Sequence, residues 1–306
     1  MPMFQTHSPQ FATSPTADAG RRSTWVSVLV NLFLTCIQLA AGVFSGSQGL
    51  IADSIHSLSD LLSDFVVLFA GHHSKKDADF DHQYGHLRYE NAASLVLGLL
   101  LLGVAFGMIW AAIGKTIAHD QMPAIHPLAL WVALIALSAK ELLFRYMLHV
   151  ANKVGSSMLV ANAWHARSDA ASSLVVAIGI GGNMLGFPML DPIAALIVGV
   201  MVARMGWSFS WSALHDLMDR AVSEEEADAI RVTIAGTPGV LGVHDLRTRK
   251  VGDMALVDVH LEIDARITVA EGHAIAVNAR RRVLENHGVL NMMTHIDPYH
   301  ASGSAA

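Results

Sequence analysis

The chain has 306 residues, of which 53% are hydrophobic and only 15% are charged. Because an ordinary soluble domain carries about 25% charged residues, this composition indicates a protein that lies in lipid. The net charge of −6 and the absence of a strongly basic stretch argue against a nucleic-acid-binding protein. A single cysteine, Cys36, excludes a disulfide scaffold and a thiolate metal site within one chain, whereas 17 histidines make metal binding the first chemistry to test.

Six apolar segments follow a polar N-terminal stretch. Residues 1–20 have no apolar core and no basic start, so we expect a flexible tail rather than a signal peptide. In the membrane domain, residues 21–212, two of these segments carry no charge and are each about long enough to cross a bilayer, namely Trp25–Phe44 and Asn91–Ile113, and the other four are apolar but interrupted. Lipid offers the backbone no partner outside a helix, so all six are expected to be helical. The predicted transmembrane helices are Trp25–Phe44, Gln48–Gly71, Asn91–Ile113, Leu128–Val150, Met158–Leu185 and Ile193–Trp211.

The basic residues of the connections predict the orientation in the membrane. Seven of them fall on one side, whereas Lys115 is nearly alone on the other. By the positive-inside rule, both termini are therefore expected in the cytoplasm, with the short connections SGSQG and GGNMLGFP facing outward. The seven residues are Arg21, Arg22, Lys75, Lys76, Arg88, Arg145 and Lys153.

After the sixth span the pattern changes to that of a cytoplasmic α+β domain, predicted at residues 213–300 with a flexible tail at 301–306. Its net charge is −5, against −1 for the chain up to Ser212. Capping boxes that open at Ser223 and Thr268 predict helices, the first of about four turns, and alternating apolar and polar residues predict strands. The strands are expected at Val240–Lys250, Met254–Ile263 and Leu290–Ile296, the last closed by Asp297-Pro298, which gives the order α-β-β-α-β.

Ionisable side chains recur on one face of the second predicted span, namely Asp53, His56, Asp60 and Asp64. The fifth span carries His165 and Asp169, which are four residues apart like His56 and Asp60. Such groups are costly in lipid and persist where they face a partner, a water-filled path or an ion. Two facing His-x-x-x-Asp pairs supply two imidazole nitrogens and two carboxylate oxygens, a tetrahedral set that suits Zn²⁺. A structural polar network, or a proton relay without metal, is the alternative.

In this combination the chain resembles the cation diffusion facilitator family. Six spans, the paired His-x-x-x-Asp motifs, the αββαβ domain and the loop Asp81–Glu90, which is similar to the family's signature loop, carry the resemblance from Arg21 to Pro298. It implies a homodimeric exporter of the bacterial inner membrane that exchanges divalent metal for protons and has a ferredoxin-like cytoplasmic domain. The implied transport site is His56, Asp60, His165 and Asp169. An imidazole at the first position, where the zinc/iron-efflux branch often has Asp, favours Zn²⁺, with Cd²⁺, Co²⁺, Fe²⁺ and Mn²⁺ as the other ions to test.

The resemblance also implies a second metal site and a charge interlock. The loop after the second span carries Asp79, His82 and His86, which match the positions of a loop metal in the family. They form a weak ligand set, and a hydrated polar loop is the alternative. Arg88 and Asp219 match a pair that holds the family's dimer together at the membrane surface.

The histidines of the cytoplasmic domain are far apart in sequence, and spacing alone favours solvated histidines without metal. Strand alternation nevertheless puts His295 and Asp297 on one face of the last strand, and His244 and His260 lie on neighbouring strands. The family's regulatory binuclear site uses matching residues, so the resemblance implies a metal pair at the dimer interface. The implied ligands are His244, His260, His273, His295 and Asp297.

A mechanism follows from the competition of metal and protons for the same ligands, since bound metal needs deprotonated side chains. Imidazole titrates near neutral pH, which makes protonation of His56 or His165 the expected coupling step. The sequence has no phosphate-binding Gly-x-x-x-x-Gly-Lys segment and no His-Glu-x-x-His motif, so we expect neither ATP hydrolysis nor a metalloprotease, and no organic cofactor. A membrane metal sensor that does not transport is the second hypothesis.

Lys140, a charged residue inside the fourth predicted span, either pairs with another span or extends to the membrane surface.

Overall fold

The computed structural model describes residues 15–74, 76–117, 125–154, 157–252 and 254–299. Within these residues the chain forms eight helices and three strands. The helices are α1 (Pro15–Ser45), α2 (Gln48–Ser74), α3 (Arg88–Ile117), α4 (Leu128–Val154), α5 (Ser157–Met184), α6 (Leu190–Leu217), α7 (Glu224–Ala235) and α8 (Val269–Asn286). The strands are β1 (Gly242–Val251), β2 (Met254–Asp264) and β3 (Val289–Tyr299). The tail predicted at 301–306 and residues 1–14 of the predicted N-terminal tail lie outside the described residues.

Helix α1 begins earlier than the sequence pattern predicts. It starts at Pro15, inside the stretch 1–20 that was expected to be a flexible tail. Proline suits the first turn of a helix, because its φ is already helical and it lacks an N–H that would have no partner there. Alanines and arginines, which are strong helix formers, follow it, so the helix extends well before the apolar span that begins at Trp25.

The first six helices have 27 to 31 residues each, more than the roughly 20 that span a bilayer. Among the described residues, three segments are long and apolar enough to cross a membrane by length and composition alone: Arg22–Ser45, Arg88–Ile117 and Leu190–Leu217. The other three helices, α2, α4 and α5, carry the polar side chains that interrupt the predicted spans. Two of these helices, α2 and α5, provide the intramembrane cluster of His56, Asp60 and Asp169 described below, and α4 provides Lys140 next to it.

Two compact units form the chain, and the first covers residues 1–65 and 100–206. In it, α4 packs against both α1 and α5. The core between these helices consists of large side chains on α4 and small ones on α5, namely Leu143, Phe144, Met147, Ala163 and Ala166. Small residues let two helices approach closely, and in lipid close packing rather than hydrophobic burial stabilises helix pairs. The packing thereby fixes α5 beside α4.

The second unit covers residues 66–99 and 207–306 and includes the cytoplasmic domain. Its sheet has the order β1-β2-β3, with β1 antiparallel and β3 parallel to β2. Helices α7 and α8 cover one face, which buries Val257, Val259 and Leu261 of β2. The alternate residues of β2, including His260 and Glu262, lie on the other face. The predicted αββαβ order is confirmed.

Several boundaries in this domain differ from the sequence prediction, among them the ends of α7 and β3. Helix α7 has 12 residues, about three turns rather than four, and ends at Ala235 with Gly236 as its C-cap. Strand β3 continues through Asp297-Pro298 to Tyr299 instead of ending at Ile296. Proline is tolerated there because β3 is an edge strand, on which a missing N–H can face away from the sheet. The extension places Asp297 beside Glu262 in the ladder.

Candidate metal centres

Three polar side chains meet between α2 and α5 in the first unit. His56 and Asp60 lie one turn apart on α2, and Asp169 belongs to α5. His56 Nδ1 is 3.9 Å from Asp60 Oδ2, and His56 Nε2 is 4.0 Å from Asp169 Oδ1. One ligand atom from each residue lies within 4.8 Å of the other two. The two helices therefore face each other at these motif residues.

The donor set fits a small divalent cation. Only 7%, 16% and 13% of the side-chain surfaces of His56, Asp60 and Asp169 are exposed. The separations of 3.9 and 4.0 Å exceed hydrogen-bond length, whereas two ligands of one tetrahedral zinc ion lie about 3.3 Å apart. His56 Nδ1 is buried without a hydrogen-bond partner among the described residues. Because a buried polar atom without a partner is costly, a cation between these atoms would satisfy the imidazole.

The structure does not bring the fourth predicted ligand into this cluster. His165 lies one turn before Asp169 on α5, as the spacing predicts, but its side chain is exposed and stands outside the three-residue group. Zinc in a closed site takes four ligands. A change of the His165 rotamer, or a water molecule, would complete the set. The side chain of Asp64, the last polar residue of the α2 motif, is outside those described.

A buried ion pair next to this cluster was not predicted as part of a site. Asp53 of α2 and Lys140 of α4 are 0% and 2% exposed, and Lys140 Nζ lies 3.3 Å from Asp53 Oδ2. The ammonium also donates to the hydroxyl oxygens of Ser57 and Ser173, at 3.0 and 2.7 Å. Of the two alternatives for Lys140, the structure therefore shows pairing with another span and not extension to the membrane surface. The sequence signal that could have linked this ion pair to the site is that Asp53 and His56 lie on the same face of α2.

The loop between α2 and α3 gathers all three of its predicted ligands. Asp79 Oδ1 lies 3.5 Å from His82 Nδ1, and Asp79 Oδ2 lies 3.4 Å from His86 Nε2. A hydrogen bond from Lys76, together with one from the backbone N–H of His82, holds the pKa of the Asp79 carboxyl well below its usual value. Asp79 therefore carries a negative charge at neutral pH and can offer an oxygen to a metal ion. His86 is buried, whereas His82 is exposed.

In the cytoplasmic domain the sheet aligns three histidines in one row. His244 of β1 is paired with His260 of β2, which is paired with His295 of β3. Asp297 reaches all of them: Oδ2 lies 3.2 Å from His244 Nε2 and 2.9 Å from His260 Nδ1, and Oδ1 lies 3.3 Å from His295 Nε2. The hydrogen bond with His260 holds the pKa of Asp297 below its usual value. We refer to these four residues as the cytoplasmic cluster.

Two more residues bear on the cytoplasmic cluster. Glu262 Oε1 lies 3.9 Å from His244 Nε2. Glu262 was not predicted as a ligand, although its alternation with His260 along β2 puts both on the polar face. His273, which was predicted as a ligand, is exposed on α8 and lies outside the groups of ligand atoms that the described residues form. Within one chain, His273 does not join the cluster.

The pair expected to interlock the dimer is formed inside one chain. Arg88, at the start of α3, makes a salt bridge with Asp219 and donates to the carbonyl oxygen of Leu217 at 3.2 Å. Asp219 follows the end of α6 and has a positive φ of 62°, which a short polar side chain tolerates better than most. The salt bridge thus ties the first turn of α3 to the chain just after α6.

Six long helices with a buried His/Asp cluster, followed by an α+β domain with a second such cluster, are features of a membrane protein that binds metal. Comparison with known proteins gives its family. Residues 24–218 match the cation efflux transmembrane domain, and residues 222–299 match the cytoplasmic domain of cation efflux proteins. The chain belongs to the cation diffusion facilitator family, whose members are metal transporters rather than enzymes. The sequence resemblance is thereby confirmed.

Two relatives and one solved structure illustrate the similarity. Metal tolerance protein C1 of Arabidopsis thaliana is 33% identical over 296 residues, which cover 92% of this chain but 63% of the plant protein. Magnetosome protein MamB of Magnetospira sp. (strain QH-2) is 34% identical over 261 residues, which cover 85% of this chain and 88% of MamB. The metal-bound C-terminal domain of the CzcD transporter from Thermotoga maritima is 22% identical, with a TM-score of 0.24, over 26% of this chain and 99% of that domain.

Proposed function

We propose that this protein exports Zn²⁺ from the cytoplasm in exchange for protons, as a homodimer in a bacterial inner membrane with both termini cytoplasmic. The observation that carries the proposal is the buried group of His56, Asp60 and Asp169 between two membrane helices. One imidazole and two carboxylates suit Zn²⁺ better than Mg²⁺ or Ca²⁺, which prefer oxygen ligands alone. His165 supplies the fourth ligand in this proposal.

The same group supports coupling to protons. A neutral imidazole with ionised Asp60 and Asp169 carries a charge of −2, which one divalent ion neutralises. When the metal leaves, two neighbouring carboxylates in a low-dielectric site repel each other, so protons take the place of the ion. The inward proton gradient then favours metal release on the outer side.

We assign the two remaining clusters supporting roles. The loop cluster of Asp79, His82 and His86 offers a partly hydrated ligand set that delivers metal to the transport site with modest affinity. The cytoplasmic cluster is assigned to a regulatory zinc pair in a dimer, in which His273 of a second copy can add a ligand. Because this domain carries a net charge of −5, bound zinc would reduce the repulsion between two copies.

Transport by the purified protein in liposomes tests the proposal. Vesicles with an acidic interior, a zinc dye and a pH dye are mixed with external Zn²⁺, so that zinc enters as protons leave. We expect uptake that depends on the pH gradient and is accompanied by alkalinisation of the interior. Zinc binding with no uptake would instead support the metal sensor. The same assay with Cd²⁺, Co²⁺, Fe²⁺ and Mn²⁺ ranks the substrates.

A further inference from the structure

The buried carboxylate of Asp53 accepts hydrogen bonds from several helices of the first unit. Besides the contact with Lys140 on α4, Oδ1 accepts from Ser172 of α5 at 3.0 Å, and Oδ2 accepts from Ser173 of α5 at 2.6 Å. Gln38 of α1 donates to Oδ2 as well. Three helices thus converge on one side chain of α2. Together with the ammonium of Lys140, these donors supply hydrogen bonds to both oxygens of the carboxylate.

The ion pair lies on a defined side of the metal cluster. On α2, Asp53 precedes His56 by three residues, and on α5, Ser173 follows Asp169 by four. In the proposed orientation α2 enters the membrane from the outer side, whereas α5 enters from the cytoplasm. Both helices therefore place the ion pair outward of the ligands, by about 5 Å at 1.5 Å per residue. A cation that leaves the cluster toward the exterior must pass this level.

An ammonium at this level opposes the passage of metal. Lys140 Nζ has hydrogen-bonding oxygens around it, from Asp53, Ser57 and Ser173, at 2.7 to 3.4 Å. These contacts hold the positive charge in place, and burial leaves it little water to screen it. Repulsion between a single and a double positive charge is strong under these conditions. A bound metal is not needed to explain why these oxygens lie together, because the ammonium of Lys140 occupies the space between them.

We propose that Lys140 is a gating residue, whose buried ammonium, held by Asp53, Ser57 and Ser173, closes the outer side of the transport site to metal until the helices rearrange. The inference rests on the proposed export function and its orientation. A displacement of α4 relative to α2 and α5 would withdraw the charge and open the outer path. The gate thereby prevents metal from crossing without the proton exchange that accompanies the rearrangement.

Removing the charge of Lys140 and of Asp53 in separate variants distinguishes a gate from an ion pair that only stabilises the helix packing. Lys140→Met removes the positive charge with little change in length, whereas Asp53→Asn keeps the size and hydrogen-bonding capacity of its side chain and leaves the ammonium without its counter-ion. If the ion pair only stabilises the helix packing, both variants break it and should change zinc transport in the same direction. A gate responds in opposite ways, because the barrier falls in the first variant and rises in the second.

The measurement is simultaneous zinc uptake and proton release in liposomes that contain the full-length protein. For Lys140→Met we expect zinc uptake without a pH gradient to rise on the order of tenfold, and the number of protons released per zinc to fall. Asp53→Asn should take up zinc more slowly, with an unchanged proton-to-zinc ratio. Lys140→Arg, which keeps the charge, should stay coupled, as should Glu141→Gln, the control on the same helix.

The outcomes distinguish the gate from the function on which it rests. If the wild type exchanges zinc for protons and Lys140→Met stays fully coupled, or leaks no more than Asp53→Asn, the gate is wrong and export stands. If the wild type itself takes up no zinc, the proposed function fails and the gate fails with it. Should Lys140→Met not fold, the double variant Asp53→Asn/Lys140→Met, which leaves no lone buried charge, must show the same leak.

Discussion

The intramembrane cluster and the cytoplasmic cluster use the same residue types in opposite surroundings. His56 has 7% of its side-chain surface exposed, whereas 66% of the His295 side chain is exposed. In the membrane, charge on the cluster is tolerated only when metal, protons or a counter-ion balances it. On the open face of the sheet, water solvates the same groups when no metal is bound. In the proposed function, burial therefore makes the first cluster obligatory for transport and leaves the second free to modulate it.

The two clusters also differ in how the fold assembles them. Strand register alone brings His244, His260 and His295 together, so the cytoplasmic cluster exists whenever the sheet forms. The intramembrane cluster needs α2 and α5 to hold His56 and Asp169 at a fixed separation. Helices that move relative to each other can thus open or close the intramembrane site, as an alternating-access transporter requires. A site within one sheet lacks that freedom.

The largest effect is expected from loss of a buried carboxylate. Asp60→Ala or Asp169→Ala removes one of the few anionic ligands, and we expect zinc transport in liposomes to fall at least about 100-fold. Glu141→Gln is the matched control, because Glu141 is also a carboxylate in a predicted span but pairs with Arg145 at 2.9 Å. The control should keep normal rates. Near-normal transport by either Asp variant would show that the cluster is dispensable.

The cytoplasmic cluster should affect stability more than transport. Zinc at 100 times its dissociation constant would stabilise a fragment that begins near Ala213 by about 2.7 kcal/mol, because only the folded state binds it. His244→Ala with His260→Ala should remove most of this gain in thermal unfolding. In the full protein the same pair should slow transport at low zinc without abolishing it.

Calorimetry of the fragment provides the check on this second prediction. His273→Ala should reduce zinc binding less than the double variant does, since His273 lies outside the cluster of its own chain. If the double variant binds zinc with the stoichiometry and affinity of the parent, these histidines do not form the site. An equal loss in all variants would instead place His273 among the main ligands.

Replacement of the intramembrane imidazole should change selectivity by a smaller factor. His56→Asp turns a mixed nitrogen and oxygen set into a harder one, which accepts a wider range of divalent ions. We expect the preference for Zn²⁺ over Mn²⁺ or Cd²⁺, measured as relative uptake rates, to narrow severalfold. Unchanged relative rates would mean that selectivity is set outside this position.

The smallest effect concerns the titration of Asp297 without metal. Its pKa lies below the ordinary value of 3.8 because His260 hydrogen-bonds it. Stability from this group is therefore present above pH 3.8 and is lost as the pH falls through the lowered pKa. In His260→Ala, the pKa measured by NMR should rise toward 3.8, and acid should destabilise the domain less. Asp264, whose pKa Arg266 holds at about 2, should not change. A constant pKa of Asp297 would contradict the assignment.

Local spacing predicted one pair of residues in each cluster. His56 and Asp60 share a helix face at i and i+4, and strand alternation puts His295 and Asp297 on one face, so either pair can be derived from its own element. The αββαβ order followed from capping boxes and alternation in the same way. The extension of β3 past Ile296 did not, because proline is tolerated only on an edge strand, and the strand order is a tertiary property.

Contacts between side chains of different helices could not be predicted from the spacing of residues within one helix. The sequence shows that Lys140 is an unusual residue for a span, but its pairing with Asp53 depends on how α4 packs against α2 and α5. The exposed side chain of His165 has the same origin, because the spacing fixes its place on α5 but not its rotamer. Sequence periodicity therefore predicts which residues share a face, and packing determines which faces meet.

The most direct test of the central claim, that metal and protons compete for one buried site, is proton release on zinc binding. Calorimetry of the full-length protein in buffers with different ionisation enthalpies gives the protons released per zinc. The triple variant Asp79→Ala/His244→Ala/His260→Ala serves as the background, so that neither the loop cluster nor the cytoplasmic cluster contributes. We expect zinc binding that releases protons, and loss of both binding and release when Asp169→Ala is added. Zinc binding without proton release, or unchanged binding after Asp169→Ala, would contradict the claim.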